Sequence, residues 1–172
     1  MSNRDFLEQL DKEQLIQLIE NSAKNWLAMD GLWFQAVERA SGMAQAMEHD
    51  VAVWRSFTVI EANRIKAFLN LPEQPGLPGL AQALQLRLYA SLNEATIELS
   101  HQTLTYTMVS CRVQSARSRK GLPYHPCKAV GQVEYGLFAR AIDPRISCQC
   151  LSCYPDATDP SCCCKWLFSI EA

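Results

Sequence analysis

The sequence predicts an α+β fold: an N-terminal helical arm followed by a four-stranded antiparallel sheet with helices packed on one face. Three observations lead there. Apolar residues recur at helical spacing through the first seventy positions; the period then shortens to that of strands near residue 96; and the order of elements is helices, hairpin, helix, hairpin.

The arm begins in "DKEQLIQLIENSAKNWLAMDGLWFQAVERA", where Leu15, Leu18, Ile19, Trp26, Met29, Trp33 and Val37 share a helical period. Asp11 is placed to cap its start. Gly42 breaks the run, and "MAQAMEHDVAVWRSFTVIEANRIKAFLNL" resumes it through Val53, Trp54, Phe57, Ile60, Ile65 and Phe68. The loop "LPEQPGLPG" ends a helical region at 1–71, and a further helix is expected over 79–92. An α+β domain then fills 80–172. "TIELSHQTLTYTMVSCRV" has β-branched and aromatic bias around a polar turn at Ser100–Gln102, and reads as a hairpin. "QSARSRKG" is a basic helical turn closed by Gly121. "CKAVGQVEYGLFARAI" is helical with Pro144 just beyond its end, and "RISCQCL" and "CKWLFSIEA" supply the last two strands.

The chain has 172 residues, of which 48% are hydrophobic and 20% charged, enough to bury a core without disulfides. A formal charge of −2 excludes a general nucleic-acid binder. No apolar run approaches the roughly 18 residues of a membrane span. The polar, acidic start "MSNRDFLEQLDKEQL" is neither a secretory signal nor a transit peptide, so a cytoplasmic location is expected.

Six of the eight cysteines fall in "CQCLSCYPDATDPSCCC", residues 148–164. In a reducing compartment such a cluster binds metal or carries redox chemistry more often than it forms disulfides. Cys150 and Cys153 form a C-x2-C half-site. Alternation along the final strand puts Cys164 on the face of Trp166, Phe168 and Ile170, and turns Cys163 away. Cys148 lies too near Cys150 to close a tetrahedron without strain, whereas Cys127 opens a separate helix and would tie it to the last hairpin. The expected metal ligands are therefore Cys127, Cys150, Cys153 and Cys164, holding zinc or, with the same thiolates, an iron–sulfur cluster. Cys148, Cys162 and Cys163 are surplus thiols. A closed four-thiolate site leaves no position for water, which makes the metal structural.

Other residues have two readings each. Cys111 beside Arg112 is a candidate nucleophile with His125 or His101 as base, or a buried thiol. Arg112, Arg117, Arg119 and Lys120 could receive a carboxylate, with Arg117 facing inward, or form a solvated helix face. Glu134 and Asp143 could move protons, or pair with Arg140 or Arg145. Asp30, Glu61 and Arg64, with Trp33 near, are pocket anchors or an ion pair on an apolar face. The ligand-binding candidates are thus Trp33, Arg64, Arg112 and Arg117, the weak catalytic candidates Cys111 and Glu134. The Trp26, Trp33, Trp54 and Phe57 set fits a core or a dimer interface.

Cys127, then Cys150-x2-Cys153, then Cys164 before an aromatic strand, resembles the 4-vinyl-reductase-type sensor domains over roughly residues 80–172. In those domains a cysteine, a glutamate-x2-cysteine pair and a final cysteine hold zinc. This sequence has Cys150 where that family has glutamate, which makes the site all-thiolate. The stretch "CRVQSARSRKGLPYHPCKAVGQVEYGLFARAIDPRI" is similar, within a likeness covering nearly the whole chain, to an uncharacterised bacterial family. That family is akin to the L-2-amino-thiazoline-4-carboxylic acid hydrolases. The resemblance implies a ligand-pocket α+β fold and a homodimer, and leaves enzyme activity open. The function expected is a cytoplasmic, sensor-like binder of a small organic molecule, anionic if it uses the arginines. A hydrolase of a small cyclic amide or amidine, or an iron–sulfur redox protein, is the alternative.

Overall fold

Asp11 starts the long helix of the molecule. Its carboxylate accepts from the Gln14 N–H at 2.8 Å, and the Gln14 side chain accepts from the Asp11 N–H at 3.0 Å, a reciprocal cap for two otherwise unpaired donors. The computed structural model describes residues 2–170. A short helix α1 (Asn3–Leu7) precedes α2 (Lys12–Phe68). At Gly42, φ is 83° and ψ 166°, a conformation in effect reserved for glycine. There α2 turns back on itself: the Trp26 ring lies 5.9 Å from both Trp54 and Phe57. The break expected at Gly42 is thus the corner of a helical hairpin, with arms at 12–41 and 43–68.

Helix α3 (Gly76–Leu84) is shorter than the sequence predicts and begins earlier. It begins early because the Gly76 N–H donates to Asp143 Oδ2 at 2.9 Å. It ends early because the Leu88 N–H is taken by Glu61 Oε1 at 2.6 Å, which draws the chain out of helical geometry. A 3₁₀ turn at Ala90–Leu92 follows.

The strands are β1 (Glu94–Leu99), β2 (Thr103–Ser110), β3 (Ile146–Cys153) and β4 (Cys164–Ile170), all antiparallel in the order β1-β2-β4-β3. Alternation is strict along β2, where Leu104, Tyr106 and Met108 are buried and their neighbours are not. Between β2 and β3 lie α4 (Arg112–Arg119) and α5 (Lys128–Ile142), the latter stopped before Pro144. One core joins the arm 43–68, α3 and α5 to one face of the sheet. Ala62 and Ile65 from the arm meet Leu80, Phe138, Ile142, Trp166 and Phe168 there. The regions 1–71 and 80–172 therefore share a core, and the fold is the α+β architecture that the sequence predicts.

Candidate functional site

Two structures meet beneath the helical hairpin: a cluster of thiols and a cavity. Cys127 stands at the start of α5, and its Sγ lies 3.5 Å from that of Cys153 at the end of β3. Cys153 is the register partner of Cys164 on β4, and their thiols meet; Cys150 also reaches Cys153. The four cysteines chosen from spacing and strand alternation thus converge on Cys153, from three elements. Cys148 packs against the core opposite Phe168. Cys162 Sγ faces the Asp159 carbonyl at 3.9 Å, and Cys163 Sγ the Val109 carbonyl at 3.5 Å.

The Cys127 thiol is held below its ordinary range, first by the Cys153 thiol that donates to it, with the Gln114 amide contributing at 3.6 Å. Cys153 is pushed up, because its proton is shared with Cys127 and Cys164. Among the described residues no group of three or more His, Cys, Asp or Glu side chains is arranged so that it could hold a metal ion. The donor set nevertheless suits a thiophilic ion. Tetrahedral zinc with Zn–S bonds of about 2.3 Å needs sulfurs roughly 3.8 Å apart, and the Cys127–Cys153 edge is near that.

The cavity holds about 490 Å³ between the hairpin, α4, α5 and the sheet. Cys111, Cys127, Cys153, Cys164 and Trp166 line its floor, and Trp26, Trp54, Tyr89 and Tyr135 its walls. Gly131 lets α5 approach the floor, since a Cβ there would lie 2.5 Å from Cζ2 of Trp166. Arg117 latches α4 to the arm 12–41, with both Nη atoms 2.8 Å from Glu38 and Nε donating to the Pro123 carbonyl.

A buried charge network backs the wall. Arg87 donates to Glu61 Oε2 at 3.0 and 2.9 Å and to Glu134 Oε1 at 2.6 Å, and the Tyr89 hydroxyl donates to Glu134 as well. Burial raises the Glu134 carboxyl, and Arg87 opposes that rise. Glu134 pairs with neither Arg140 nor Arg145; Asp143 is the residue that takes Arg145, at 2.7 Å. Glu61 pairs with Arg87 and not with Arg64, because its carboxylate points into the core while Arg64 faces solvent. Asp50 Oδ2 lies 3.2 Å from His125 Nε2. Burial pushes Asp50 up to about 7, helped by the charges of Asp30 and Glu134, and pushes His125 down to about 4.

Of the ligand-binding candidates, Arg112 and Arg117 line the cavity; Trp33 and Arg64 lie outside it, Trp33 being 71% exposed. The Arg117 guanidinium is already engaged by Glu38. Cys111 lines the cavity, but burial pushes its thiol up to about 11, away from the thiolate that a nucleophile needs. His101 sits exposed in the β1–β2 turn. Sequence reasoning missed Arg87, Asp50 and Tyr89. A lone arginine in the apolar run "GLAQALQLRLYASL" was the signal available for Arg87.

Fold and site together define an α+β domain with a thiol-floored cavity roofed by a helical hairpin. The chain belongs to DUF6125, a family of unknown function, which it matches over residues 8–170. Comparison with curated proteins finds no match.

Proposed function

We propose that the chain is a cytoplasmic, sensor-like protein that binds a small organic molecule in this cavity and works as a homodimer. A structural four-cysteine metal site, zinc in the first instance, holds the cavity floor. The observation that carries this is the convergence of Cys127, Cys150, Cys153 and Cys164, from α5, β3 and β4, beside a cavity of about 490 Å³. The resemblance to zinc-holding sensor domains points the same way. A metal at this spot would tie α5 to the β3–β4 hairpin, and so fix the distance between floor and wall. The same thiolates would hold an iron–sulfur cluster.

The test is elemental analysis with a contrast. Cys127→Ser, Cys150→Ser, Cys153→Ser and Cys164→Ser should each lose metal and melt many degrees lower, since structural zinc contributes on the order of 10 kcal/mol. Cys148→Ser, Cys162→Ser and Cys163→Ser should keep the parent's metal content. Equal loss from both sets would show that no defined tetrahedron exists. Zinc against iron separates the binding reading from the redox one, and the iron form would be coloured.

One observation favours a hydrolase as the second reading. The Asp50–His125 pair borders the cavity, and a carboxyl raised to about 7 against a neutral imidazole can exchange a proton near neutral pH. Turnover of a cyclic amide or amidine by the parent, abolished in His125→Ala, would establish it.

A further inference from the structure

The cavity is unequally charged. Asp30, Asp50 and Glu134 line it. Glu134 is answered by Arg87. Asp50 faces His125, which burial and the nearby Arg117 keep uncharged. The Asp30 carboxylate makes no hydrogen bond or ion pair among the described residues, and burial alone raises it. The cations near the cavity do not compensate: Arg117 is engaged by Glu38, while Lys24, Arg112, Arg119 and Lys120 are exposed at its rim. Two half-buried carboxylates therefore stand close enough to oppose each other, with no cation between them. Asp50, raised to about 7, relieves this repulsion by holding a proton, and a bound cation would take that proton's place.

The walls suit the same charge. Trp26, one helical turn before Asp30, lies 5.9 Å from Trp54 and from Tyr89, and all three rings line the cavity. The Arg87 guanidinium already sits over Trp54 and Tyr89, at 5.7 and 4.9 Å, which leaves Trp26 as the ring without a cation. On the sheet side, Trp166 is 1% exposed and lines the cavity. Its indole N–H is the buried side-chain donor left without an acceptor among the described residues. A buried donor in that state calls for an acceptor from outside the chain.

We infer that the cavity takes a small organic ammonium ion: an amine on an apolar or aromatic body, with a hydrogen-bond acceptor at its far end. The ammonium sits against Asp30 and Asp50 beside the Trp26 ring, and the acceptor meets the Trp166 N–H. This rests on the cavity being a binding site, and it replaces the anionic ligand that the basic stretch Arg112–Lys120 invites. Anions would meet solvated rim cations first, then two carboxylates inside.

The experiment titrates the parent protein as purified with probes that share one body, 4-methoxyphenethylamine, its alcohol and 4-methoxyphenylpropanoate, by calorimetry. The amine should bind at least about tenfold more tightly than the alcohol, and the propanoate most weakly. Asp30→Asn should remove most of the amine's advantage and leave the alcohol unchanged. Phenethylamine, which lacks the methoxy acceptor, should bind several-fold more weakly than the parent probe, a difference that Trp166→Phe removes. A propanoate or alcohol that binds as tightly as the amine would overturn the charge assignment while the cavity stood as a site. Failure of all probes at millimolar concentration would overturn both. The charge series is read on the parent, so it decides the matter even where a variant does not fold.

Discussion

At Gly131 one hydrogen atom separates a closed floor from a displaced one. An added methyl would lie 2.5 and 2.8 Å from two carbons of the Trp166 indole, whose other neighbour, Tyr135, is 4.7 Å away between ring centres. The added methyl would push the indole against Tyr135 or into the cavity that it lines. Gly131→Ala should therefore destabilise the fold by about 1–3 kcal/mol and weaken the near-ultraviolet dichroism of the packed tryptophans. A variant with the parent's melting temperature and spectrum would show that the floor yields more easily than its geometry implies. Ion pairs are decided at this scale too. The sequence offered Arg64 to Asp30 or Glu61 because these charges interrupt apolar helical faces. The Glu61 carboxylate instead reaches Arg87, twenty-six positions away, since only a buried partner can compensate a buried charge.

Asp143 joins two elements. Its carboxylate accepts from Arg145, in the turn between α5 and β3, and from the Gly76 N–H that opens α3. The Arg145 side chain, with the two backbone donors behind it, brings the carboxyl down to about 2 despite burial. A folded value below the ordinary aspartate range, near 4, means that the stabilisation is complete above about pH 4. It is lost as pH falls toward 2. The parent's melting temperature should drop across that window, and Asp143→Asn, lower by a few degrees at neutral pH, should drop less. Parallel pH profiles for the two would remove Asp143 from the account. The elements themselves were largely legible, because alternation and helical period are set by near neighbours. The ends of α3 were not, since Asp143 and Glu61 supply them from elsewhere in the chain.

Across the whole molecule the hairpin of α2 has two faces. Its inner face roofs the cavity, and its outer face leaves Met29, Trp33, Val53 and Ile60 exposed. Trp33, Val53 and Ile60 also edge a shallow groove with Val37 and Phe57. Apolar surface of that extent marks an interface more often than a solvent face, and a second copy of the chain is the occupant proposed for it. Light scattering at micromolar concentration should give a dimer, and Trp33→Glu a folded monomer. A monomeric parent would reject the interface. Among the described residues no helix is long and apolar enough to cross a membrane.

By itself the sequence determined the class of fold, the two β-hairpins and the helix break at Gly42, and it nominated the four thiols. Each follows from a pattern carried by neighbouring residues: a helical period, an alternation, a single glycine, a C-x2-C spacing. Only the tertiary structure decided what the cavity is made of. Asp50 looks like an ordinary helix-surface acid, and Asp30 like a pocket anchor or half of an ion pair, until the hairpin folds over the sheet. Arg117 looks free for a ligand until Glu38 reaches it from the other layer. Burial and charge compensation depend on which layers face each other, and no stretch of chain holds that information until the core has closed.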